Sequence, residues 1–406
     1  MRGSPRFRRP HAPPWLSRGI AGIGTASLLA DLGHEVPTAL LPRLLASLGG
    51  SAASLGLIEG IADGLAGLMR LFGGALADDP LRRRRVAVGG YAGTALLTGL
   101  TGAGASLWQV GVLRAGGWAA RGLRVPARNA LLADAVAAES YGRAYGFERA
   151  MDNLGAIAGP LLALGLVAAF SLRGAILLSI IPGLLAAGAI AYAIRHIPRL
   201  EPRERQPLRL QLRPVIQGRL RRLMVAVGAF ELGNVAATLL ILRVTELLTP
   251  AAGRDRATRV SLLLYLAYNV AATATSILAG RASDRMGPVA TLRAGIGAFL
   301  LSYLAFALAG PAVPLLAAAF VVAGIGIGSV ETAEHAAVAA LAPPGIRGSA
   351  FGLLAAVQSF GNLAASGLVG LLWTGLSPRI AFFYVAAWMV IALLALPTRP
   401  TRPPGG

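Results

Sequence analysis

Gly74-Ala75-Leu76-Ala77-Asp78-Asp79-Pro80, with Arg82-Arg83-Arg84-Arg85 just after it, has a second version in the same chain: Gly280-Arg281-Ala282-Ser283-Asp284-Arg285-Met286-Gly287-Pro288. The two glycines are 206 positions apart, and so are Asp78 and Asp284. Each stretch ends one long apolar run and precedes another. Gly142-Arg143-Ala144-Tyr145-Gly146 matches Gly348-Ser349-Ala350-Phe351-Gly352 at that same spacing, as Gly155 matches Gly361. Independent matches at one offset mark a duplicated chain that uses the same polar turns once in each half.

Composition names the solvent. Of 406 residues, 55% are hydrophobic and 14% charged, against about 25% charged in soluble domains. There is no cysteine, which excludes disulfides, thiolate metal sites and cysteine nucleophiles. All 38 basic residues are arginine, and the net charge is +20. That charge does not read as a nucleic-acid surface, because the arginines fill short gaps between apolar runs and form no face interleaved with aromatics.

A membrane span takes roughly 20 apolar residues. Runs of that kind lie near 19–46, 54–77, 86–105, 107–134, 145–170, 174–194, 223–248, 258–281, 289–309, 313–341, 347–373 and 379–397. With the N-terminus inside, 25 arginines fall in inner gaps and 5 in outer gaps, so the positive-inside rule predicts cytoplasmic termini. Met1 to Arg18 reads as the lead-in to an uncleaved first span, without a signal-peptide cleavage pattern. The predicted organisation is a cytoplasmic tail (1–18), a six-helix bundle (19–197), a Pro- and Arg-rich cytoplasmic linker (198–222), a second six-helix bundle (223–397) and a short cytoplasmic tail (398–406). The fold class is all-α membrane protein, twelve transmembrane helices in two pseudo-symmetric bundles.

Ionisable groups inside these runs are costly in a bilayer and normally face a cavity or a partner. Asp31 and Glu35 share one face of span 1, with His34 beside them. Glu59, Asp63 and Arg70 share a face of span 2. Arg114, Arg121 and Arg128 recur every seven residues along span 4, with Arg124 next to the stripe. Span 5 holds Glu148, Arg149 and Asp152, and span 10 holds Glu331, Glu334 and His335. Asp152 or Glu148 is expected to pair with Arg124 or Arg128. The arginines read either as glue between spans 4 and 5 or as part of a transport path. Glu59 reads as a cavity group or as a hydrated helix end, and the histidines as proton relays or packing residues. Spans 3, 6 and 12 lack buried ionisable groups and span 9 has only Arg293 near its inner end, so every third helix is fit to face lipid. No metal-ligand spacing, phosphate loop or catalytic triad stands out, and no cofactor is called for. Gly324-Ile325-Gly326-Ile327-Gly328 reads as a site of bending or close helix packing.

These residues resemble the major facilitator superfamily. Its turn between spans 2 and 3 has a Gly, an Asp four positions on and a basic cluster, roles matched by Gly74, Asp78, Arg82 and Arg83, and in the second half by Gly280, Asp284 and Arg285. Its antiporter signature in span 5 is matched by Gly155, Gly159 and Pro160, without the trailing glycine pair. Leu55 to Asp63, Arg121-Gly122-Leu123-Arg124 with Arg128, and Phe147, Arg149, Asp152 and Gly155 resemble a less characterised prokaryotic subgroup. Gly117-Trp118 and Asn129 depart from that subgroup's charged positions. The resemblance implies a secondary transporter that alternates access to a cavity lined by spans 1, 4, 7 and 10. The Gly-Pro signature favours proton-coupled export of a small organic or drug-like molecule from a bacterial inner membrane. Uptake of a small nutrient, and a membrane-embedded enzyme or sensor, are the rivals. Proton-coupling and cavity candidates are Asp31, Glu35, Glu59, Asp63, Arg121, Arg124, Arg128, Glu148, Arg149, Asp152, Glu331 and Glu334. The expected partners are a small-molecule substrate, protons and the bilayer, for a monomer that binds no nucleic acid and no metal. The acids suit a cationic substrate and the span 4 arginines an anionic one; the sequence leaves that choice open.

Overall fold

A computed structural model describes residues 15–198 and 211–396. Their secondary structure is helical, with no strand among the described residues. The helices form twelve long segments: α1 (Arg18–Ser47), α2 (Ala52–Ala77), α3 (Pro80–Leu100), α4 (Leu107–Asp134), α5 (Tyr141–Ala169), α6 (Leu172–Arg195), α7 (Gly218–Ala252), α8 (Arg254–Met286), α9 (Pro288–Leu308), α10 (Val313–Leu341), α11 (Arg347–Gly375) and α12 (Pro378–Ala395). Segment α6 is interrupted at Ser179 and α7 at residues 234–236. Nine helical segments among the described residues are long and apolar enough to cross a membrane. The remaining long helices, α1, α2 and α4, carry ionisable groups along their middle turns. The protein is a multi-pass membrane protein. Large apolar side chains such as Leu164, Leu371 and Leu394 stand exposed, as lipid contact requires.

Local chemistry sets the helix ends. Asp79 caps α3, accepting the Leu81 and Arg82 N–H groups at 2.9 and 3.3 Å, with Pro80 in the first turn. This cap corrects the sequence reading. The arginines at 82–85 are not a loop; they lie in the first turns of α3, and Arg83 is buried. It follows that α3 does carry a buried ionisable group. Ser51 and Ser54 form a reciprocal capping box at the start of α2. Segment α7 begins at Gly218 and not near 223, so Arg219, Arg221 and Arg222 belong to its first turns. Of the expected linker, residues 199–210 lie outside the described residues, as do the tails 1–14 and 397–406.

Helices α1, α2, α4 and α5 form the centre of the first bundle, with α3 and α6 at its periphery; α7, α8, α10 and α11 form the centre of the second, with α9 and α12 outside. The bundles meet mainly along α2–α11 and α5–α8, with α10–α5 and α11–α4 adding contact. Positions inside these seams are glycine where backbones touch. Within the second bundle, where α10 crosses α8, Gly324 and Gly328 likewise run against the Tyr268 and Ala272 carbonyls, so the glycine run of span 10 serves close packing.

Candidate functional site

Closure between the bundles is built twice from the repeated turns. At the α2–α11 seam, a Cβ on Gly74 would lie 2.7 Å from the Gly348 carbonyl oxygen, and one on Gly352 would lie 2.7 Å from that of Arg70. At the α5–α8 seam, a Cβ on Gly280 would lie 2.6 Å from the Gly142 oxygen, and Gly146 abuts the Ser276 oxygen. The aspartates lock these crossings. Asp78 accepts the Ser349 N–H at 2.9 Å and the Ser349 hydroxyl. Asp284 accepts the N–H groups of Gly142 and Arg143 at 2.7 and 3.2 Å, and the Arg143 Nε at 2.6 Å. Each carboxylate thus reaches across the seam to the N-terminus of a helix in the other bundle, where free N–H groups and the helix dipole favour an anion. A third tie, not foreseen from the sequence, joins the same ends. Arg83 of α3 and Arg347 of α11 both bind Asp134 at the end of α4, and Arg347 also donates to the Tyr141 hydroxyl.

Away from these ties the bundles separate. Along α2, Gly74 is locked, Gly67 meets Phe360 at 2.9 Å, and Gly64, Gly60 and Gly56 have nothing beside them. On α11, Gly367, Gly370 and Gly375 likewise face open space. The molecule is therefore shut at the face that bears the repeated turns and open at the opposite one. Between lies a cavity of about 500 Å³, a size typical of small-molecule sites.

The first bundle lines that cavity with an interlocked charge network. Arg128 reaches Glu148 at 2.6 Å and Asp152 at 3.5 Å, while Arg149 reaches the same two carboxylates at 2.9 and 3.2 Å. Ser27 of α1 donates to Glu148 at 2.7 Å and accepts from Arg128 at 3.0 Å. Arg121 binds Asp31 at 3.1 Å, and Arg114 binds Glu59 at 3.0 Å. Trp118 lies under both Arg114 and Arg121 and meets the His34 ring edge-on at 4.9 Å. The second bundle supplies Glu231, Asn234, Glu331, His335, Gln358 and Asn362. Here α7 is broken, and α11 fills the break: Asn362 donates to the Asn234 carbonyl at 2.9 Å and the Ser366 hydroxyl accepts the Ala236 N–H at 3.1 Å. Broken helices beside a central site are a recurring feature of transporters.

The profile of the major facilitator superfamily matches residues 23–252 and 256–406. The chain belongs to the major facilitator superfamily. An uncharacterized MFS-type transporter of Methanocaldococcus jannaschii is 26% identical over 383 residues, 94% of each chain. An uncharacterized protein of Mycobacterium tuberculosis is 31% identical over 202 residues; the match spans about half the length of that relative and of this chain. Among solved structures, a bacterial homologue of the iron transporter ferroportin in its outward-facing state superposes with a TM-score of 0.76 at 18% identity, covering 93% of this chain and 98% of that one. The human organic anion transporter TETRAN gives a TM-score of 0.73 at 17% identity, covering 95% and 100%.

In this member of the major facilitator superfamily the residues singled out from the sequence fall into four groups. Asp31, Arg121, Arg128, Glu148, Arg149 and Asp152 join through α1, α4 and α5. Gly74, Asp78, Gly280 and Asp284 sit in the two seams, where Arg83 is drawn to Asp134; Arg82 pairs with its neighbour Asp79 at 3.4 Å, and Arg285 stays exposed. Gly155 and Gly159 bring α5 onto α1 beside Leu28 and Glu35, while Pro160 is inside α5. Asp63 and Glu331 line the cavity, Glu35 borders α5, and Glu334 is fully buried with Gln358 as its donor. At two points the geometry narrows what the sequence left open. The acids pair with Arg128 and not with Arg124, which stacks on Tyr91 of α3 at 3.9 Å. His34 contacts Trp118 and not its neighbouring acids. The residues that the sequence reading missed, Ser27, Tyr91, Trp118 and Asp134, are neutral or helix-terminal, so no charge periodicity pointed to them.

Proposed function

We propose that this transporter is a proton-coupled exporter of a small organic molecule in a bacterial inner membrane, working as a monomer by alternating access of two six-helix bundles. The arginine-rich face that bears both seams is cytoplasmic, with the two termini on that side of a twelve-span topology, so the described state is outward-open. The observation that carries the coupling is the shared pair of carboxylates: Glu148 and Asp152 hold both Arg128 and Arg149, and Asp152 lines the cavity. A proton on Asp152 would remove one of the two charges that hold these guanidiniums. Arg149 would then turn toward Glu331 of α10, which lines the same cavity. That exchange ties proton occupancy to the contact between α5 and α10, and a ligand or proton shifts such an equilibrium only by its differential affinity for the two states. Asp31 and Glu35 on α1 stand beside this network and serve the same proton path.

The test uses inside-out membrane vesicles from cells that overproduce the protein, acidified by respiration and followed with a pH-sensitive dye. Addition of an exported compound from a panel of organic molecules is expected to collapse part of the gradient. The Asp152→Asn protein should bind the same compound without that collapse. If transport proceeds equally with and without a gradient, and Asp152→Asn leaves it unchanged, proton coupling through this residue is wrong.

A further inference from the structure

We infer that the transported molecule carries an anionic group, a carboxylate, sulfonate or phosphate, that binds on the α2–α4 wall of the cavity at Arg124 and Arg70. This deepens the proposed function and rests on the cavity being the transport site. The argument begins with which arginines have acids and which do not. Arg114, Arg121, Arg128 and Arg149 each have a carboxylate within 3.1 Å. Arg124 and Arg70 also line the cavity, and among the described residues no carboxylate lies in ion-pair contact with either.

Arg124 is 2% exposed. Its guanidinium stacks on the face of the Tyr91 ring at 3.9 Å, and its Nε and Nη1 are buried without an acceptor among the described residues. Arg70 gives one N–H to the Ala355 carbonyl of α11 at 2.9 Å, and its Nε is buried without an acceptor. Arg121 Nη1 and Trp118 Nε1, on the same wall, are also unfilled. Asp63 of α2 also lines the cavity but is in ion-pair contact with neither guanidinium, so unfilled N–H donors outnumber acceptors on this wall and it is incomplete, since buried polar groups are ordinarily satisfied. Behind Arg124 a second cavity of about 10 Å³, lined by Tyr91, Thr94, Thr98 and Ser179, has room for a single water. It is too small to hold the missing anion.

The facing wall carries Glu231 and Glu331, with Glu334 fully buried in the same bundle, and among the described residues no guanidinium is in ion-pair contact with them, which taken alone would suit a cation. The two walls are not equivalent. A carboxyl group relieves an unpaired buried charge by taking a proton; a guanidinium does not release its proton in proteins. The acids can settle their charge with the coupling ion, whereas Arg124 and Arg70 need an anion from outside the protein. The planar fork of Arg124, fixed on Tyr91, suits bidentate binding of a carboxylate or oxyanion.

The full-length protein in lipid nanodiscs, with no pH gradient, is titrated with three probes of one shape: 2-naphthalenesulfonate, 2-naphthol and 2-naphthylmethylammonium. Binding is followed by calorimetry. The sulfonate is expected to bind at least about tenfold more tightly than the other two, the difference made by one charge-assisted contact. Arg124→Gln should abolish that preference, and Arg124→Lys should restore part of it, which shows that a folded site remains. Equal or tighter binding of the ammonium or naphthol probe, no saturable binding of the sulfonate, or an undiminished preference in Arg124→Gln would each overturn the assignment. Because no gradient is present, failure of proton coupling at Asp152 leaves this outcome standing, and the reverse holds as well.

Discussion

A single carboxylate shows how the closed face is held. Asp78 sits outside the helices at the end of α2, where burial raises its carboxyl above the ordinary aspartate range; the hydrogen bonds from Ser349 and Gly348 and the charge of Arg83 work in the other direction. When the face opens, Asp78 regains water and its ordinary value of about 3.9. The closed state therefore holds that proton more tightly. The contribution of Asp78 to closure is complete below the ordinary range and declines as pH rises through the raised value. Asparagine copies the protonated form: its oxygen accepts the Ser349 N–H and its amide donates to the Ser349 hydroxyl. Ala77, beside it, is wholly buried, and the chain has no native cysteine, so maleimide labelling of an Ala77→Cys protein reports opening. Asp78→Asn should label slowly and with little change between about pH 4 and 7, beyond the reagent's own pH dependence measured on an exposed cysteine. Asp78→Ala should label at least about tenfold faster at every pH, having lost two hydrogen bonds to a charged group. Faster labelling of Asp78→Asn than of the parent at neutral pH would contradict the scheme. At this scale the sequence exposed which charges lie on one helical face. It did not expose which partner each would take, because Arg124 is claimed by an aromatic ring of α3, and spacing within α4 carries no information about that ring.

Among the elements, the two closing seams are copies. Gly74 of α2 against Gly348 and Gly352 of α11 corresponds, at 206 residues, to Gly280 of α8 against Gly142 and Gly146 of α5. Asp78 with Ser349 corresponds to Asp284 with Arg143. The repeat thus encodes both sides of each seam, the turn in one half and the helix start that receives it in the other. The match was legible from the letters alone, while the pairing across halves needed the fold. The same offset sets Gly155 of α5 against α1 and Gly361 of α11 against α7, where an added Cβ would lie 2.5 Å from the Leu28 oxygen and from the Glu231 Cβ. The break in α7 was not legible: Asn234 to Ala236 lies within an apolar run, and its backbone is satisfied by Asn362 and Ser366 from a distant helix. Close backbone approach makes a sharp prediction. Gly146→Leu puts a side chain against the Ser276 carbonyl, and overpacking of this kind costs about 1–3 kcal/mol. That cost falls on the closed state only, so the open fraction at this face should rise about fivefold to a hundredfold. The Ala77→Cys labelling rate should rise with it, and Gly146→Ala should lie between. Unchanged labelling in Gly146→Leu would mean that the α5–α8 crossing does not govern closure.

For the molecule as a whole, the duplication explains the scaffold and its failures locate the chemistry. At the common offset Asp63 corresponds to Asn269, Arg70 to Ser276, Arg124 to Val330 and Asp152 to Gln358. The bundles match in shape while the arginines stayed with the first. One bundle is a fixed lattice of ion pairs and the other a wall of acids and amides, so movement between them changes what the arginines face. Alternating access then requires the open and closed faces to exchange. Spin labels on Ala138→Cys with Arg285→Cys would measure the closed face, and Ser51→Cys with Asp255→Cys the open one; all four positions are exposed. In nanodiscs the first pair should give a short, narrow distance distribution and the second a long one. Combining Asp78→Ala with Asp284→Ala should lengthen the first and shorten the second in the same molecules. The two seams lose their carboxylates together, and about 3 kcal/mol or more of charge-assisted hydrogen bonding goes with them. That is enough to move a closed majority to an open one. If the first distance lengthens while the second stays fixed, the faces are not coupled and the bundles do not rock as rigid bodies. If both stay fixed, the aspartates are ornaments of the fold, and closure rests instead on the Asp134–Arg347 tie and the packed glycine backbones.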